Sequence, residues 1–154
     1  MLRLSRLSLK SKRHSTGLFN GRVGAASAMT NLLLDTHALV WWSLNSPRLS
    51  HAACAAINQN TGGVWVSAAS VYELDYKARI GRIPPLPVPA LEIVSAEGFL
   101  LLSIDAASAA KAAAFSGTHA DPFDRLIAAQ AMLHGFGVVT IDPAIAAFGA
   151  RIVW

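Results

Sequence analysis

Short apolar runs that end at a polar residue divide this chain into alternating predicted strands and helices. The first run, Leu32-Leu33-Leu34, is followed directly by Asp35 and then by an apolar segment suited to the opening of a helix. An unbroken run of this kind is typical of a strand in a parallel sheet, and such sheets bind ligands at the carboxyl ends of their strands. Asp35 is therefore predicted to lie at a strand-to-helix turn, either as a helix cap or as a functional group.

The same pattern repeats along the rest of the chain. Further strands are predicted at residues 64–66, 99–104, 137–141 and 151–154, and helices at residues 37–44, 50–58, 71–80, 89–97, 105–114, 123–133 and 142–149. The run at 99–104 has the clearest pattern of a buried strand after the first. Five strands separated by helical segments predict an α/β domain with a parallel sheet covered on both faces.

Composition supports one globular domain. Hydrophobic residues make up 53% of the 154 residues and charged residues 14%, which is typical of a compact globule rather than a disordered chain. No apolar run reaches the ~18 residues that a membrane span needs, so no membrane contact is expected. The single cysteine, Cys54, excludes an internal disulfide and is compatible with the reducing cytoplasm, where we expect the protein to be.

Charge is distributed unevenly along the chain. Residues 1–30 hold six basic residues and no acid, whereas the rest holds seven basic residues and all nine acids, a net charge of −2. Residues 1–28 are therefore predicted to be a basic extension, disordered or non-native, ahead of a domain at residues 29–154. This extension fits a basic arm for nucleic acid, an organellar transit peptide or codons upstream of the true start, and we favour the last.

Five acidic residues lie where predicted strands end or predicted helices begin: Asp35, Glu73, Asp121, Asp124 and Asp142. In a doubly wound sheet these positions can converge on one crevice. Carboxylates gathered there repel one another unless they are protonated or share a cation. Carboxylate oxygens suit Mg²⁺ or Mn²⁺, and an open site of this kind can hydrolyse a phosphodiester.

The remaining acids and the missing motifs narrow the function further. Asp105 is interpreted as a helix cap, and Asp75, Glu92 and Glu97 as solvated helix positions. The chain contains no glycine-rich phosphate loop and no G-x-S-x-G elbow. His37 stands where a phosphatase with an aspartyl nucleophile would have a second Asp.

Four segments together closely resemble PIN-domain ribonucleases, specifically the VapC-like toxins of type II toxin–antitoxin systems. They are LLLDTHALVWW from Leu32, VSAASVYELDYKARIGRIP from Val66, HADPFDRLIAAQAMLHG from His119 and VVTIDPAIAAFG from Val138. The resemblance implies a three-layer α/β/α PIN-like domain with a central, mainly parallel five-stranded sheet and Asp35 at its middle strand.

The same resemblance assigns a role to four of the acids. It implies that they hold Mg²⁺ or Mn²⁺ and activate water for hydrolysis of RNA: Asp35, Glu73, Asp124 and Asp142. The chain is then a metal-dependent endoribonuclease that acts as the toxin of a toxin–antitoxin pair. The alternative is a non-catalytic PIN-like module for RNA binding or assembly.

For several residues near these acids, the sequence allows both a functional and a structural role. Asp121 either supports the metal-binding acids or caps the following helix, and we favour the cap. Thr140 could hold a carboxylate or water by a hydrogen bond, or simply pack. Arg125 could bind phosphate or orient the neighbouring Asp. His37 and His119 are interpreted as structural, because the expected metal prefers oxygen ligands.

The partners implied by the resemblance are an RNA substrate and a cognate antitoxin, and we also expect a homodimer. The predicted first and third helices carry more large side chains than one short helix face usually buries: Trp41, Trp42, Tyr72 and Tyr76. Such a surplus is typical of an interface, and the alternative is that all four side chains fill the core. The surface of these two helices is therefore our expected docking site for the antitoxin.

Overall fold

Strands and helices alternate along the part of the chain that the structure, a computed structural model, describes: residues 30–117 and 119–154. The predicted extension at residues 1–28 lies outside these residues. The elements are β1 (Leu32–Leu34), α1 (Thr36–Ser43), α2 (His51–Gln59), β2 (Val64–Ser67), α3 (Ala68–Arg79), α4 (Ala90–Ala96), β3 (Leu100–Leu102), α5 (Ala106–Ala114), α6 (Pro122–His134), β4 (Gly137–Val139), α7 (Pro143–Ala147) and β5 (Ile152–Val153). None of the helices in this part is long and apolar enough to cross a membrane.

All five strands form one parallel sheet in the order β3-β2-β1-β4-β5. Strand β1 is central, with Leu33 paired to Trp65 on one side and to Val138 on the other. Leu33 packs into one apolar cluster while Leu34 packs into a second, because successive side chains of a strand point to opposite faces. The predicted three-layer α/β/α architecture, with Asp35 directly after the middle strand, is confirmed.

A strand does lie within the predicted range 99–104, but the prediction that it is buried was wrong. Strand β3 comprises Leu100–Leu102 only, and Leu100 and Leu101 are 38% and 42% exposed. The physical reason is its position: β3 is an edge strand with β2 as its one neighbour in the sheet. An apolar run reports a preference for burial, whereas the position of a strand in the sheet decides how much burial it obtains.

Helix α3 begins at Ala68, three residues before the predicted start at Val71. The hydroxyl of Ser67 accepts a hydrogen bond from the Ala69 amide at 3.0 Å and so caps the helix. Glu73 consequently lies in the second turn of α3 rather than the first. The predicted caps at Asp105 and Asp121 are confirmed, and Ser50 caps α2 at the start of the range predicted for that helix.

Two acids assigned to solvated helix faces instead make tertiary hydrogen bonds. The Asp75 carboxylate accepts from the Ala90 amide at 2.9 Å, at the start of α4, where the N-cap residue Pro89 has no side-chain acceptor. The Glu97 carboxylate accepts from Trp42 Nε1 at 2.8 Å. Both contacts join residues far apart in sequence, which helical periodicity cannot reveal.

Candidate metal centre

Asp35 stands at the carboxyl end of β1, at the N-cap position of α1. Its side chain forms no capping hydrogen bond within the described residues and instead accepts one from Thr140 Oγ1 at 2.8 Å. The residue is 3% exposed, and burial raises the pKa of its carboxyl above the ordinary value, against the hydrogen bond from Thr140. Of the two interpretations of Asp35, the geometry therefore favours a functional group over a helix cap.

Thr140 joins the ends of two neighbouring strands. Asp35 donates its amide to the Val139 carbonyl at 3.1 Å, which aligns the ends of β1 and β4. Thr140 then donates to the Asp35 carboxylate while its oxygen accepts from the Asp142 amide at 2.9 Å. One threonine thus positions the first and fourth predicted metal ligands, and its interpretation as a carboxylate holder is confirmed.

Glu73 reaches the same region from α3. It is 5% exposed, and its two carboxylate oxygens have different partners: Oε2 accepts from Thr36 Oγ1 at 2.6 Å, and Oε1 contacts Lys77 Nζ. Because Thr36 follows Asp35 directly, its hydroxyl places Glu73 beside the end of β1. The negative charge of Glu73 contributes to the raised pKa of Asp35.

Asp124 lies in the first turn of α6 and also belongs to this acidic neighbourhood. Burial raises the pKa of its carboxyl to about 6, although the hydrogen bond with His119 opposes the rise, and the charges of Asp121, Asp35 and Asp142 raise it further. His119 Nε2 lies 2.7 Å from Asp124 Oδ2. The carboxylates of Asp121, Asp35 and Asp142 therefore lie near enough to Asp124 for their charges to act on it.

Asp121 and Asp142 both cap helices. Asp121 accepts from the Phe123 and Asp124 amides at 2.8 and 3.4 Å, and Asp142 accepts from the Ala144 amide at 2.8 Å. In each case one carboxylate oxygen serves the helix, which orients the side chain and leaves the other oxygen for a second partner.

The donor set fits a hard divalent cation. Within residues 30–117 and 119–154, no group of three His, Cys, Asp or Glu side chains is arranged so that it could hold a metal ion as it stands. The acids nevertheless share one neighbourhood, and Asp35 is a buried carboxylate whose only ion-pair partner among these residues is His37, at 4.0 Å. A buried carboxylate near other carboxylates needs a cation or a proton, and oxygen donors suit Mg²⁺ or Mn²⁺.

Sequence reasoning missed two partners of the acids and misjudged one more residue. Lys77, one turn after Glu73, could have been found from its i, i+4 spacing, whereas Thr36 carried no comparable signal. The structural interpretation of His119 agrees with its hydrogen bond to Asp124. Arg125 was assigned to phosphate or to the neighbouring carboxylate, yet it donates to backbone carbonyls at the end of α5 and in the following loop.

Comparison with known proteins shows the family of this chain. Residues 32–150 match the PIN domain family. The chain is 41% identical over 117 residues to Ribonuclease VapC22 of Mycobacterium tuberculosis, an alignment that covers 74% of this chain and 88% of that protein. This chain therefore belongs to the PIN-domain family.

Solved structures share the fold. DNA-bound VapBC from Salmonella typhimurium matches with a TM-score of 0.58 and 25% identity, covering 80% of this chain and 96% of that one. FitAcB from Neisseria gonorrhoeae matches with a TM-score of 0.57 and 22% identity, covering 79% and 95%. The predicted resemblance to VapC-like PIN domains is confirmed.

Proposed function

We propose that this chain is a Mg²⁺- or Mn²⁺-dependent endoribonuclease that acts as the toxin of a toxin–antitoxin pair, with its activity in residues 29–154. The observation that carries the proposal is the buried carboxylate of Asp35 at the end of the central strand, surrounded by the charges of other acids. Membership of the PIN family, with a VapC ribonuclease as a relative, supports the ribonuclease and toxin parts.

Four residues would hold the metal: Asp35, Glu73, Asp124 and Asp142. A bound divalent ion would polarise the scissile phosphate and lower the pKa of water, which is the chemistry that phosphodiester hydrolysis requires. Among the supporting residues, Thr140 orients Asp35, and His119 holds Asp124. Thr36 and Lys77 together fix the plane of the Glu73 carboxylate.

The test is cleavage of labelled RNA by purified protein with Mg²⁺, with Mn²⁺ and with EDTA. We expect cleavage with either metal, none with EDTA, and a loss of at least about a hundredfold in Asp35→Asn and Asp124→Asn, since each removes several kcal/mol of charge stabilisation. Asp105→Asn is the matched control, because it makes the same chemical change at the N-cap of α5, where Asn also caps well.

Two results would contradict the proposal. Cleavage that persists in EDTA would exclude the metal, and unchanged cleavage in both acid variants would exclude these ligands. A pure protein that binds RNA without cutting it under any metal condition would instead favour the non-catalytic PIN-like module.

The proposed partners are a cognate antitoxin and a second copy of this chain. Support comes from the VapBC complex among the structural relatives. Trp41 and Trp42 no longer belong to the expected docking surface, because both pack against the core: Trp41 lies against Trp154 and Trp42 against Phe99.

The two partners are tested separately. Co-expression with the neighbouring reading frame should yield a complex that no longer cleaves RNA, and sedimentation of the free protein should give the mass of a dimer.

A further inference from the structure

Two exposed tyrosines stand on one face of α3. Tyr72 and Tyr76 are 59% and 38% exposed, and their rings are stacked with centroids 5.6 Å apart and planes 8° apart. Spacing by four residues places them on the same side of the helix. Each stacked ring still offers exposed π and edge surface to a partner, and contiguous exposed apolar surface marks an interaction site.

This surface starts at the acidic site. The Tyr72 ring lies 5.9 Å from that of Phe123, the residue that directly precedes Asp124, and Tyr72 itself directly precedes Glu73. The aromatic row of Phe123, Tyr72 and Tyr76 therefore runs outward from two of the proposed metal ligands. Any chain whose backbone is held at the acids could continue along the row.

Positive charge lies at the far end of the row. The guanidinium of Arg79 is 6.0 Å from the centre of the Tyr76 ring, and Arg82 follows, exposed, just after α3. Within the described residues neither arginine forms an ion pair. Tyr72, Tyr76 and Arg79 line an open groove of about 320 Å³ together with Asp75, whose carboxylate is already engaged by the Ala90 amide.

We infer that the row of Phe123, Tyr72 and Tyr76 with Arg79 binds single-stranded RNA, stacking bases beside the scissile phosphate. This inference rests on the proposed function and adds the residues along which its RNA substrate lies. Aromatic faces followed by guanidinium groups that form no ion pair match a ligand that carries flat bases and phosphates. The row begins beside Glu73 and Asp124, two of the proposed metal ligands, and this continuity with the site favours the substrate over a protein partner as its occupant.

Binding is measured by fluorescence anisotropy of a fluorescein-labelled 12-nucleotide oligouridine in EDTA, so that no cleavage intervenes. Tyr72→Leu and Tyr76→Leu keep an apolar side chain but remove the π face, and each should weaken binding about tenfold. Tyr72→Phe keeps the ring and should bind like the unaltered protein. Leu91→Ala, at a residue of α4 that is 48% exposed, controls for loss of exposed apolar surface.

Arg79→Gln provides an independent measure that does not depend on the tyrosines. Loss of one phosphate contact should reduce the slope of log Kd against log salt by about 0.7. This measurement remains informative if a leucine variant fails to fold, which circular dichroism would reveal.

Three outcomes would overturn the inference: equal binding of the tyrosine and leucine forms, equal affinity for a duplex of the same length, or leucine variants that lose only self-association or antitoxin binding. The proposed function fails separately. Metal-dependent cleavage with unchanged binding in the variants would contradict only the proposed stacking row. Weakened binding in a protein that never cleaves RNA would contradict only the proposed nuclease activity.

Discussion

Thr140 donates a hydrogen bond of 2.8 Å to Asp35, a residue 105 positions earlier in the chain. Because Asp35 is buried, this donor is one of the few groups that hold its carboxylate in place. The same hydroxyl oxygen accepts from the Asp142 amide, so one side chain fixes the relative position of two proposed metal ligands.

Replacement of Thr140 by valine should therefore weaken metal binding. Loss of a group that orients a ligand typically costs about 10- to 100-fold in metal affinity, and we expect this loss for Mn²⁺ measured by electron paramagnetic resonance. Thr61→Val makes the same change at an exposed threonine of a turn and should leave the affinity unaltered. Equal affinities in the two variants would show that Thr140 only packs.

Lys77 should stabilise the metal-free protein. It contacts the buried Glu73 carboxylate, and Lys77→Gln would leave that charge without its cation. Because Lys77 is partly exposed, we expect a loss of about 1–3 kcal/mol in the free energy of unfolding, less than for a fully buried pair. Lys111→Gln on α5 is the control, and urea titration in EDTA is the measurement.

The same variant also tests whether Glu73 faces the metal. Mn²⁺ should restore much of the stability lost in Lys77→Gln, because the divalent cation replaces the positive charge of Lys77 beside the Glu73 carboxylate. A variant that is destabilised equally with and without Mn²⁺ would show that Glu73 does not face the metal.

Asp124→Asn should stabilise the metal-free protein at neutral pH. The pKa of Asp124 is raised from 3.8 to about 6 in the folded state, chiefly by burial, so folding favours its protonated form. The stability that protonated Asp124 contributes to the folded state is fully present below pH 3.8 and is lost as the pH rises through about 6. At pH 7.5 the ionised form carries a penalty that Asn removes.

The gain should be on the order of 1 kcal/mol after allowance for solvent screening. Urea unfolding in EDTA at pH 4 and pH 7.5 is the measurement, and the advantage of Asn should be larger at the higher pH. An advantage that is equal at both pH values, or larger at pH 4, would contradict the raised pKa.

Gln130 should be important for stability rather than for cleavage. It is fully buried, accepts from Ser67 Oγ at 2.6 Å and donates to the Ser103 carbonyl at 3.0 Å. Gln130→Met keeps the volume but leaves both partners unsatisfied, which costs about 2–4 kcal/mol. Gln59→Met, at the exposed end of α2, should cost little, and equal midpoints of thermal unfolding in the two variants would contradict this role.

The sequence by itself determined the order of elements and the location of the acids along it. The apolar run ending at Asp35 and the capping residues Ser50, Asp105 and Asp121 act through local physics, since burial preference and capping depend on neighbours within a few residues. For this reason the α/β class could be predicted without coordinates, whereas the place of Asp35 at the middle strand was implied by the resemblance to PIN domains.

Only the tertiary structure decided which side chains touch. The contacts of Thr140 with Asp35 and of Thr36 with Glu73 join distant residues, and the partners of Asp75 and Glu97 lie on other elements. The exposure of β3 and the outward face of Tyr72 likewise follow from the order of strands and the packing of helices. These contacts depend on how the elements are arranged in space, whereas periodicity along a chain reports only what each element prefers.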